Sequence, residues 1–288
     1  MKIGFIGLGN LGTPIAENIL NRQGQLFVYN RTASKAEALA EKGATMCNSV
    51  KELSETCDVI FSIVSNDAAL NDITKGANGI IQNLKQGGVH VAMSTILPAT
   101  ATQLSELHHA HGSYYVAAPV MGRPEAARAS KLHFLVSGDK SAIEKIKPLL
   151  QDAGGVAVWE FGDSAAVANI AKLATNFLII SAVESMAEGI NMMRKSGVDA
   201  AAWMNVITQT LFAAPIYINY GNILLKEAYQ PAGFALRLGL KDINLVIEQA
   251  RTVNAMMPIG SLMKQRLEDC VANGLGDHDW TAVAVMLK

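Results

Sequence analysis

A lysine and two asparagines share one face of a long apolar stretch in the second half of the chain. Asn169, Lys172 and Asn176 stand in the string ANIAKLATNFLII at relative positions i, i+3 and i+7, which a helix places on one stripe. Most neighbours are Ala, Ile, Leu and Phe, and an unpaired charge buried among such residues is costly. The spacing alone equally allows a solvated stripe on a surface helix. A lysine held in a binding cleft could instead act as a general acid, because burial lowers the pKa of its ammonium group.

Three glycines at the start of the chain follow the pattern of a dinucleotide-binding turn. An apolar strand pattern, Lys2–Ile6, runs into Gly7, Gly9 and Gly12, and a helix pattern follows directly. In this setting the first glycine allows a tight turn, the second lets a pyrophosphate approach the backbone, and the third lets helix and strand pack closely. The N-terminus of the helix offers free N–H groups and a positive dipole end. This order favours a dinucleotide site over a purely structural turn.

The end of the second predicted strand indicates which dinucleotide is bound. An NAD site usually carries an acidic residue there, about 20 residues past the first glycine, to bind the ribose 2′-OH. This chain has Asn30, Arg31 and Thr32 instead, with Lys35 close by. The amide and the hydroxyl can donate hydrogen bonds, and a guanidinium pairs with a phosphate through its planar fork. These residues predict NADP(H), with a plain surface charge as the alternative for Arg31.

The elements that position these residues fall into two classes along the chain. Strand and helix patterns alternate over Lys2–Trp159, which predicts an α/β fold with a doubly wound, mostly parallel sheet. Strand signals then fade, and residues 164–195 form one long helical pattern with further helices behind it. We predict a Rossmann domain over residues 1–162 and an all-α domain over residues 163–288. The long helix would lie at their junction, which favours a functional role for Lys172.

Composition and charge exclude several kinds of partner. The net charge of the 288 residues is −1 and no basic run stands out, which argues against nucleic acid. The three cysteines are far apart without metal-ligand spacing, and they indicate reduced thiols in a cytoplasmic protein. The apolar run Leu173–Val183 is broken by polar residues and is too short to span a bilayer, so we expect no membrane partner. The start of the chain shows no signal-peptide pattern.

Two histidine-containing stretches resemble metal sites in composition alone. His108, His109 and His111 lie at the end of a predicted helix without cysteine or carboxylate partners, which favours a solvated helix end. The run Asp277-His278-Asp279 is better explained as a turn and cap before the last helix. We therefore predict no metal site.

In its motifs the chain resembles the β-hydroxyacid dehydrogenase family, the relatives of 3-hydroxyisobutyrate dehydrogenase and of the glyoxylate and succinic semialdehyde reductases, with a 6-phosphogluconate dehydrogenase-like fold. GFIGLGNLGTPIA is similar to the family's cofactor fingerprint, and YNRT to the form in its NADP-preferring members. Lys172 and Asn176 match the K-x-x-x-N motif, whose lysine is the family's catalytic residue. STILPAT and APVMG stand at its substrate loop and substrate segment, and LKDINL matches its later Lys-Asp motif. The resemblance covers essentially the whole chain.

The resemblance implies roles for individual residues. It makes Lys172 and Asn176 catalytic, and it assigns the substrate to Ser94, Met121, Gly122 and Arg123. The implied cofactor contacts lie in the glycine turn, after the next strands and in the Lys-Asp motif: Gly7, Gly9, Asn10, Leu11, Gly12, Asn30, Arg31, Thr32, Val64, Ser65, Asn66, Thr95 and Lys241. Asp242 would orient Lys241.

The substrate segment departs from the family's usual A-P-V-S-G-G. Met121 replaces the serine and Arg123 replaces the second glycine, and Ala166 and Ala168 stand where the family has paired glycines before the lysine. A hydroxyl and a close backbone approach, both useful for holding a carboxylate, are lost. Arg123 is either a new carboxylate contact or a surface residue that points away. These differences point away from the standard small hydroxyacid, although the lysine is retained.

The resemblance implies reversible hydride transfer between NADP(H) and a small carbonyl or β-hydroxyacid-type substrate, with Lys172 as the proton donor or acceptor. One alternative is reduction of imines or bulkier carbonyls, which Met121 and Arg123 suggest and which Lys172 opposes, because related imine reductases lack this lysine. A non-catalytic NADPH-binding sensor or assembly module is the alternative from another class. The apolar helices of the second domain predict a homodimer or homotetramer.

Overall fold

A nine-stranded sheet forms the centre of the first part of the chain in the computed structural model, which describes residues 1–287. Its strands are β1 (Ile3–Ile6), β2 (Phe27–Tyr29), β3 (Thr45–Met46), β4 (Val59–Ser62), β5 (Val89–Ala92), β6 (Tyr114–Ala117), β7 (Val120–Met121), β8 (Leu132–Gly138) and β9 (Gly155–Glu160). The sequence patterns miss β3 and β7, because a strand of two residues shows no alternation of apolar and polar side chains.

The strand order is β3-β2-β1-β4-β5-β6-β8-β7, and β9 pairs with β8. Neighbours from β3 through to β6 are parallel, as are β8 and β9, whereas β8 is antiparallel to both β6 and β7. The chain leaves β1 toward β2 on one side and later returns to β4 on the other. This reversal is the switch point at which open α/β sheets bind ligands, beyond the carboxyl ends of the strands. The predicted doubly wound, mostly parallel sheet is confirmed.

Helices cover both faces of the sheet: α1 (Gly12–Gln23), α2 (Ser34–Ala40), α3 (Val50–Thr56), α4 (Asp67–Thr74), α5 (Ile80–Asn83), α6 (Pro98–Ala110), α7 (Pro124–Arg128), α8 (Lys140–Asp152) and the start of α9 (Ala166–Lys195). Alternate residues of each strand face opposite sides. Phe5 and Phe61 therefore join the core that contains residues of α1 and α8, and Ile6 and Ile60 join the one that contains residues of α3 and α5. Burial on both faces explains why these strands are almost wholly apolar.

The helix α8 begins at Lys140 and is capped by an aspartate. Asp139 is the residue before the first turn, and its Oδ1 accepts a hydrogen bond of 2.9 Å from the N–H of Ala142. A carboxylate at this position satisfies a free N–H and favours the positive end of the helix dipole. The sequence patterns do not predict the short helices α4, α5 and α7.

Four buried polar side chains form a row of contacts from β4 through β5 to the end of α6. Ser62 Oγ lies 2.8 Å from His90 Nε2, His90 Nδ1 lies 3.2 Å from His108 Nε2, and His108 Nδ1 lies 2.8 Å from Ser113 Oγ. Burial, followed by the repulsion of neighbouring His111, lowers the pKa of His108 to about 3. Burial and the neighbouring His108 also lower the pKa of His90.

The prediction of a solvated helix end is therefore wrong for His108, which is fully buried, while His109 is exposed. The sequence carried one signal of this arrangement, because His90 lies within a strand that is otherwise apolar. Among residues 1–287, no group of three or more His, Cys, Asp and Glu side chains is arranged to hold a metal ion.

The chain divides into two compact units, Met1–Lys172 and Leu173–Lys288, and the division falls within α9. The predicted boundary after residue 162 lies just past the last strand. The second unit contains the rest of α9 with α10 (Ala200–Gln209), α11 (Pro215–Lys226), α12 (Leu236–Thr252), α13 (Pro258–Ala272) and a 3₁₀ helix (Trp280–Leu287). The predicted helical C-terminal region is confirmed.

One described helix, α9, is long and apolar enough to cross a membrane by its length and composition alone. The sequence-based expectation of no membrane span rested on a shorter segment of this helix, Leu173–Val183. The core helix of a soluble protein meets the same criterion, and α9 carries a buried carboxylate, Glu184, whose Oε1 accepts a hydrogen bond of 2.6 Å from Arg266 Nε. Burial, the largest effect, raises the pKa of Glu184 although Arg266 opposes the shift. The absence of a membrane partner stays a prediction.

Candidate functional site

The three glycines of the turn between β1 and α1 differ in how closely their neighbours pack. Gly7 has a φ of +100°, and a Cβ there would overlap the carbonyl oxygen of Ile63. A Cβ on Gly12 would overlap the carbonyl oxygen of Gly7. Gly9 is exposed, and nothing lies within 4 Å of the position of its missing Cβ. Gly7 and Gly12 therefore close the turn, whereas Gly9 leaves open space at its surface.

A dinucleotide phosphate fits this turn. Leu11, at the cap position of α1, makes no side-chain capping hydrogen bond in the described structure. The first N–H groups of a helix have no partner within the helix, and its dipole places partial positive charge at the same end. Gly9 and Asn10 are exposed beside this end of α1. Backbone N–H groups can thus meet a phosphate without a side chain in the way.

Asn30 holds the glycine turn against the loop that follows β2. Its Oδ1 accepts a hydrogen bond of 2.9 Å from the N–H of Leu8, and its Nδ2 donates one of 2.9 Å to the carbonyl of Thr32. Arg31 and Thr32 are exposed in the same loop, and Lys35 is exposed in the first turn of α2. Asn30 therefore fixes the shape of the loop, and the exposed side chains are the ones positioned to meet a phosphate from solvent.

The loops after β4 and β5 are joined through Ser94. This side chain is 2% exposed, and its Oγ accepts a hydrogen bond of 2.8 Å from the N–H of Val64. Because a hydroxyl both donates and accepts, its hydrogen stays able to donate. Ser65 is exposed beside Val64, and Asn66 caps α4 by accepting a hydrogen bond of 2.8 Å from Ala69. Asn66, which the family resemblance assigns to the cofactor, thus uses its side-chain oxygen to cap α4.

Sequence reasoning missed Asp67, which ties the same two loops together. Its Oδ1 accepts hydrogen bonds of 2.9 Å from the N–H of Leu97 and of 2.6 Å from Thr100 Oγ1. The residues Ser94 to Thr100 are thereby held to the start of α4 from both ends. An acidic residue in the first turn of a helix is a weak signal, because such residues are common there.

The beginning of α9 is fixed by a side chain from β8. Ser137 is fully buried, and its Oγ accepts a hydrogen bond of 3.0 Å from the N–H of Ala168 while donating one of 3.1 Å to the carbonyl of Ala165. Asn169 Oδ1 accepts a hydrogen bond of 3.3 Å from the N–H of Ile96. Lys172 lies one turn further along and is half-buried. These contacts set the place of Lys172 within the first unit.

The substrate segment packs against an apolar cluster to which α9 also contributes. Met121 in β7 is partly buried in an apolar cluster that also contains Ile96 and Ala171. Gly122 has a φ of +148°, and a Cβ there would press on Leu132, so glycine is favoured at this position. The Arg123 side chain is 23% exposed, with its Nε 3.7 Å from Glu125 Oε2, so it does not extend freely into solvent.

In the second unit, Asp242 joins the two remaining predicted residues. Asn176 Nδ2 donates a hydrogen bond of 2.6 Å to Asp242 Oδ2, and Lys241 Nζ lies 2.7 Å from Asp242 Oδ1. Asn176 and Asp242 are buried. The structure therefore connects Asn176 and Lys241 through one carboxylate, whereas the sequence linked Asp242 to Lys241 alone.

Two family models match almost the whole chain. Residues 2–162 match the NAD binding domain of 6-phosphogluconate dehydrogenase, and residues 166–287 match the NAD-binding domain of NADP-dependent 3-hydroxyisobutyrate dehydrogenase. The chain belongs to the β-hydroxyacid dehydrogenase family. The resemblance inferred from the motifs is confirmed.

Several known proteins are similar to this chain over nearly its whole length. An uncharacterized oxidoreductase of Bacillus subtilis, YfjR, is 37% identical over 288 residues, covering 100% of both chains. Glyoxylate/succinic semialdehyde reductase 2 of Arabidopsis thaliana is 32% identical over 290 residues, covering 100% of this chain and 80% of that protein. The solved structure of Psf3 in complex with NADP+ and 2-OPP has a TM-score of 0.89 at 25% identity, covering 99% of this chain and 100% of that one. This chain, as a member of the β-hydroxyacid dehydrogenase family, is thus an NAD(P)-dependent oxidoreductase that acts on CH–OH groups.

Proposed function

We propose that this protein is an NADPH-dependent reductase of small carbonyl compounds that carry an anionic group, working reversibly on the matching hydroxyacid. The supporting observation is the placement of Lys172 within the first unit. Ser137 and Asn169 fix its helix to β8 and to the loop of Ser94. That loop, the glycine turn and Val64 all follow the carboxyl ends of adjacent parallel strands, where α/β sheets bind ligands.

The bound nicotinamide supplies or accepts the hydride. Lys172 donates its proton to the carbonyl oxygen of the substrate as negative charge develops there, and it takes the proton back in the oxidising direction. The family resemblance assigns Asn176, whose amide Asp242 holds, to the orientation of the substrate. It assigns Lys241, held by the same carboxylate, to the cofactor, which Lys241 would contact when the cofactor is bound.

The substrate's polar end is assigned to Ser94, the Met121–Gly122 backbone and Arg123. The Ser94 hydroxyl accepts from Val64 and can donate to a carboxylate oxygen. Arg123 offers a planar cation for a carboxylate or a similar anion. Support comes from relatives named for glyoxylate, succinic semialdehyde and 2-(hydroxymethyl)glutarate.

The experiment is a panel of carbonyl compounds tested for consumption of NADPH. We expect turnover of glyoxylate or succinic semialdehyde, and little turnover of their methyl ester or amide analogues. Faster turnover of a cyclic imine would favour the imine-reductase alternative, which Met121 and Arg123 suggest. Tight NADPH binding without turnover of any member would favour a sensor or assembly module.

The preference for NADP(H) has its own test at Arg31. Replacing Arg31 with Ala should weaken NADPH binding by about ten- to a hundred-fold, the range of a charge-assisted hydrogen-bonded pair, and leave NADH binding unchanged. Arg22 is exposed in the last turn of α1, at the end away from the glycine turn, so Arg22→Ala is the matched control. Equal affinity of the wild type for NADH and NADPH would contradict this preference.

We also propose that the chain assembles as a homodimer or homotetramer in the cytoplasm. Several large apolar side chains of the second unit are more than half exposed: Leu178, Val206, Leu211, Met256 and Leu262. Exposed apolar side chains commonly mark an interface where they form one patch. Light scattering should give a mass that is twice or four times that of one chain, and a single-chain mass would refute the assembly.

A further inference from the structure

Asn169 is a buried polar residue on α9 that takes no chemical step in the proposed reaction. Its side chain is fully buried, three residues before Lys172. The carboxamide oxygen accepts a hydrogen bond of 3.3 Å from the N–H of Ile96. Ile96 lies two residues after Ser94, so one side chain joins the loop of the substrate serine to the helix of the proposed proton donor.

The segment from Ser94 to Leu97 is held at several points. Val64 N–H donates to the Ser94 hydroxyl, and Leu97 N–H donates to Asp67. Both contacts tie the segment to the β4–α4 connection. The Ile96–Asn169 contact is different in kind, because it ties the segment to the helix that carries Lys172.

The two ends of the Asn169 carboxamide differ in their contacts. Its Nδ2 is buried and has no hydrogen-bond partner among the described residues. A buried donor without a partner is destabilising, and buried polar groups are nearly always paired. Leucine has a similar shape and would avoid this cost, but it would leave the N–H of Ile96 without its acceptor. The contact that favours asparagine here is therefore the hydrogen bond that its oxygen accepts from Ile96.

We infer that Asn169 is a positioning residue, which sets the Ser94 segment relative to Lys172 by accepting the Ile96 N–H. The expected effect on the reaction rate rests on the proposed function. The anchoring of the Ser94 segment by Asn169 does not. Since a displacement of about 1 Å can lower a rate by about a hundred-fold, an anchor of this kind controls catalysis without touching the substrate.

Two matched variants separate the oxygen from the shape of the side chain. Asn169→Asp keeps an acceptor oxygen at the same place, and Asn169→Leu keeps the shape without an acceptor. Hydrogen exchange of the Ile96 amide should be about three- to ten-fold faster in the Leu variant than in wild type, the range of one net hydrogen bond, and near wild type in the Asp variant. Asn169→Ala serves in the same comparison if the Leu variant does not fold.

Kinetics then test whether the anchor acts through Ser94. Asn169→Leu should lower kcat/KM for the best carbonyl substrate by about ten-fold or more, with the NADPH dissociation constant unchanged within about two-fold. In a Ser94→Ala background the same change should cost much less, because the group being positioned is gone.

Unchanged Ile96 exchange in both acceptor-free variants, Asn169→Leu and Asn169→Ala, would overturn the inference. Fully additive effects of the Asn169 and Ser94 changes would overturn it as well. Absence of turnover with every carbonyl compound in the wild type would instead reject the proposed function, and the exchange of Ile96 would still decide whether Asn169 is the anchor.

Discussion

The polar side chains of the candidate site make different kinds of contact in the two units. In the first unit, Asn30, Ser94 and Asn169 each accept a hydrogen bond from a backbone N–H in a neighbouring loop. In the second unit, Asn176 and Lys241 instead pair with the side chain of Asp242. The first arrangement shapes loops so that backbone and small groups meet a ligand, and the second arrangement orients polar and charged side chains. Apart from Lys172, mutations of these residues should therefore act on loop geometry in the first unit and on side-chain pairing in the second.

Lys172 is the exception to this contrast, and its replacement should have the largest effect. It lies in the first unit, but its proposed work is done by its charge and its proton. Lys172→Ala should lower kcat by about 10²- to 10⁴-fold, the usual contribution of a general acid, with NADPH binding unchanged within about three-fold. Steady-state kinetics and NADPH titration measure the two quantities. Lys195→Ala, at the exposed end of the same helix, is the control. Retained turnover in Lys172→Ala would remove the lysine from the mechanism.

The glycine turn tests the part of the first unit that is built from backbone. Gly9→Val adds a side chain in open space, so its melting temperature should stay near wild type while NADPH binding weakens by about a hundred-fold. Gly12→Ala places its Cβ on the carbonyl oxygen of Gly7, so it should lower both stability and binding. Equal loss of stability in the two variants would show that Gly9 is also a packing position.

The buried histidines provide a test of stability in the first unit without changing its sequence. Their pKa values lie below the value of about 6.5 in an unfolded chain, so unfolded protein binds more protons as the pH falls below 6.5. Each histidine should then remove about 1.4 kcal/mol of unfolding free energy per pH unit. Urea unfolding between pH 7 and pH 5 should show this loss.

Two variants in the last turn of α6 test whether the buried histidines cause this loss of stability at low pH. His109 is exposed, and His109→Asn should leave the pH dependence unchanged. His108→Asn removes one of the two buried groups, and it should reduce the slope of unfolding free energy against pH by about half. A flat profile in the wild type would mean that the buried pair takes up a proton without loss of the fold.

The sequence could predict most of the first unit because its rules are local. A strand, three glycines and a helix define the cofactor turn within residues 2 to 22. The sequence also shows Asn30 and Arg31 after β2, where an NAD site usually has an acidic residue. The contacts that hold the site are not local. Asn169 and Ile96 are 73 residues apart in the chain, and Asn176 and Asp242 are 66 apart, so no periodicity connects them. His108 was misassigned for the same reason, since its partner His90 lies on a strand before the helix.

Asp242 tests the side-chain pairing of the second unit, and its effect should be the smallest of the four. Asp242→Asn keeps an acceptor for Asn176 but removes the charge that faces Lys241. Lys241 is partly exposed, so its ammonium group can turn to water, and the loss in unfolding free energy should be about 1–2 kcal/mol. Asp242→Ala also leaves the amide of Asn176 without its acceptor and should cost more. If the Asn variant loses as much stability as the Ala variant, charge governs this site. If the Asn variant matches wild type, the hydrogen bond to Asn176 is what Asp242 provides, and the side-chain pairing in the second unit then does not depend on charge.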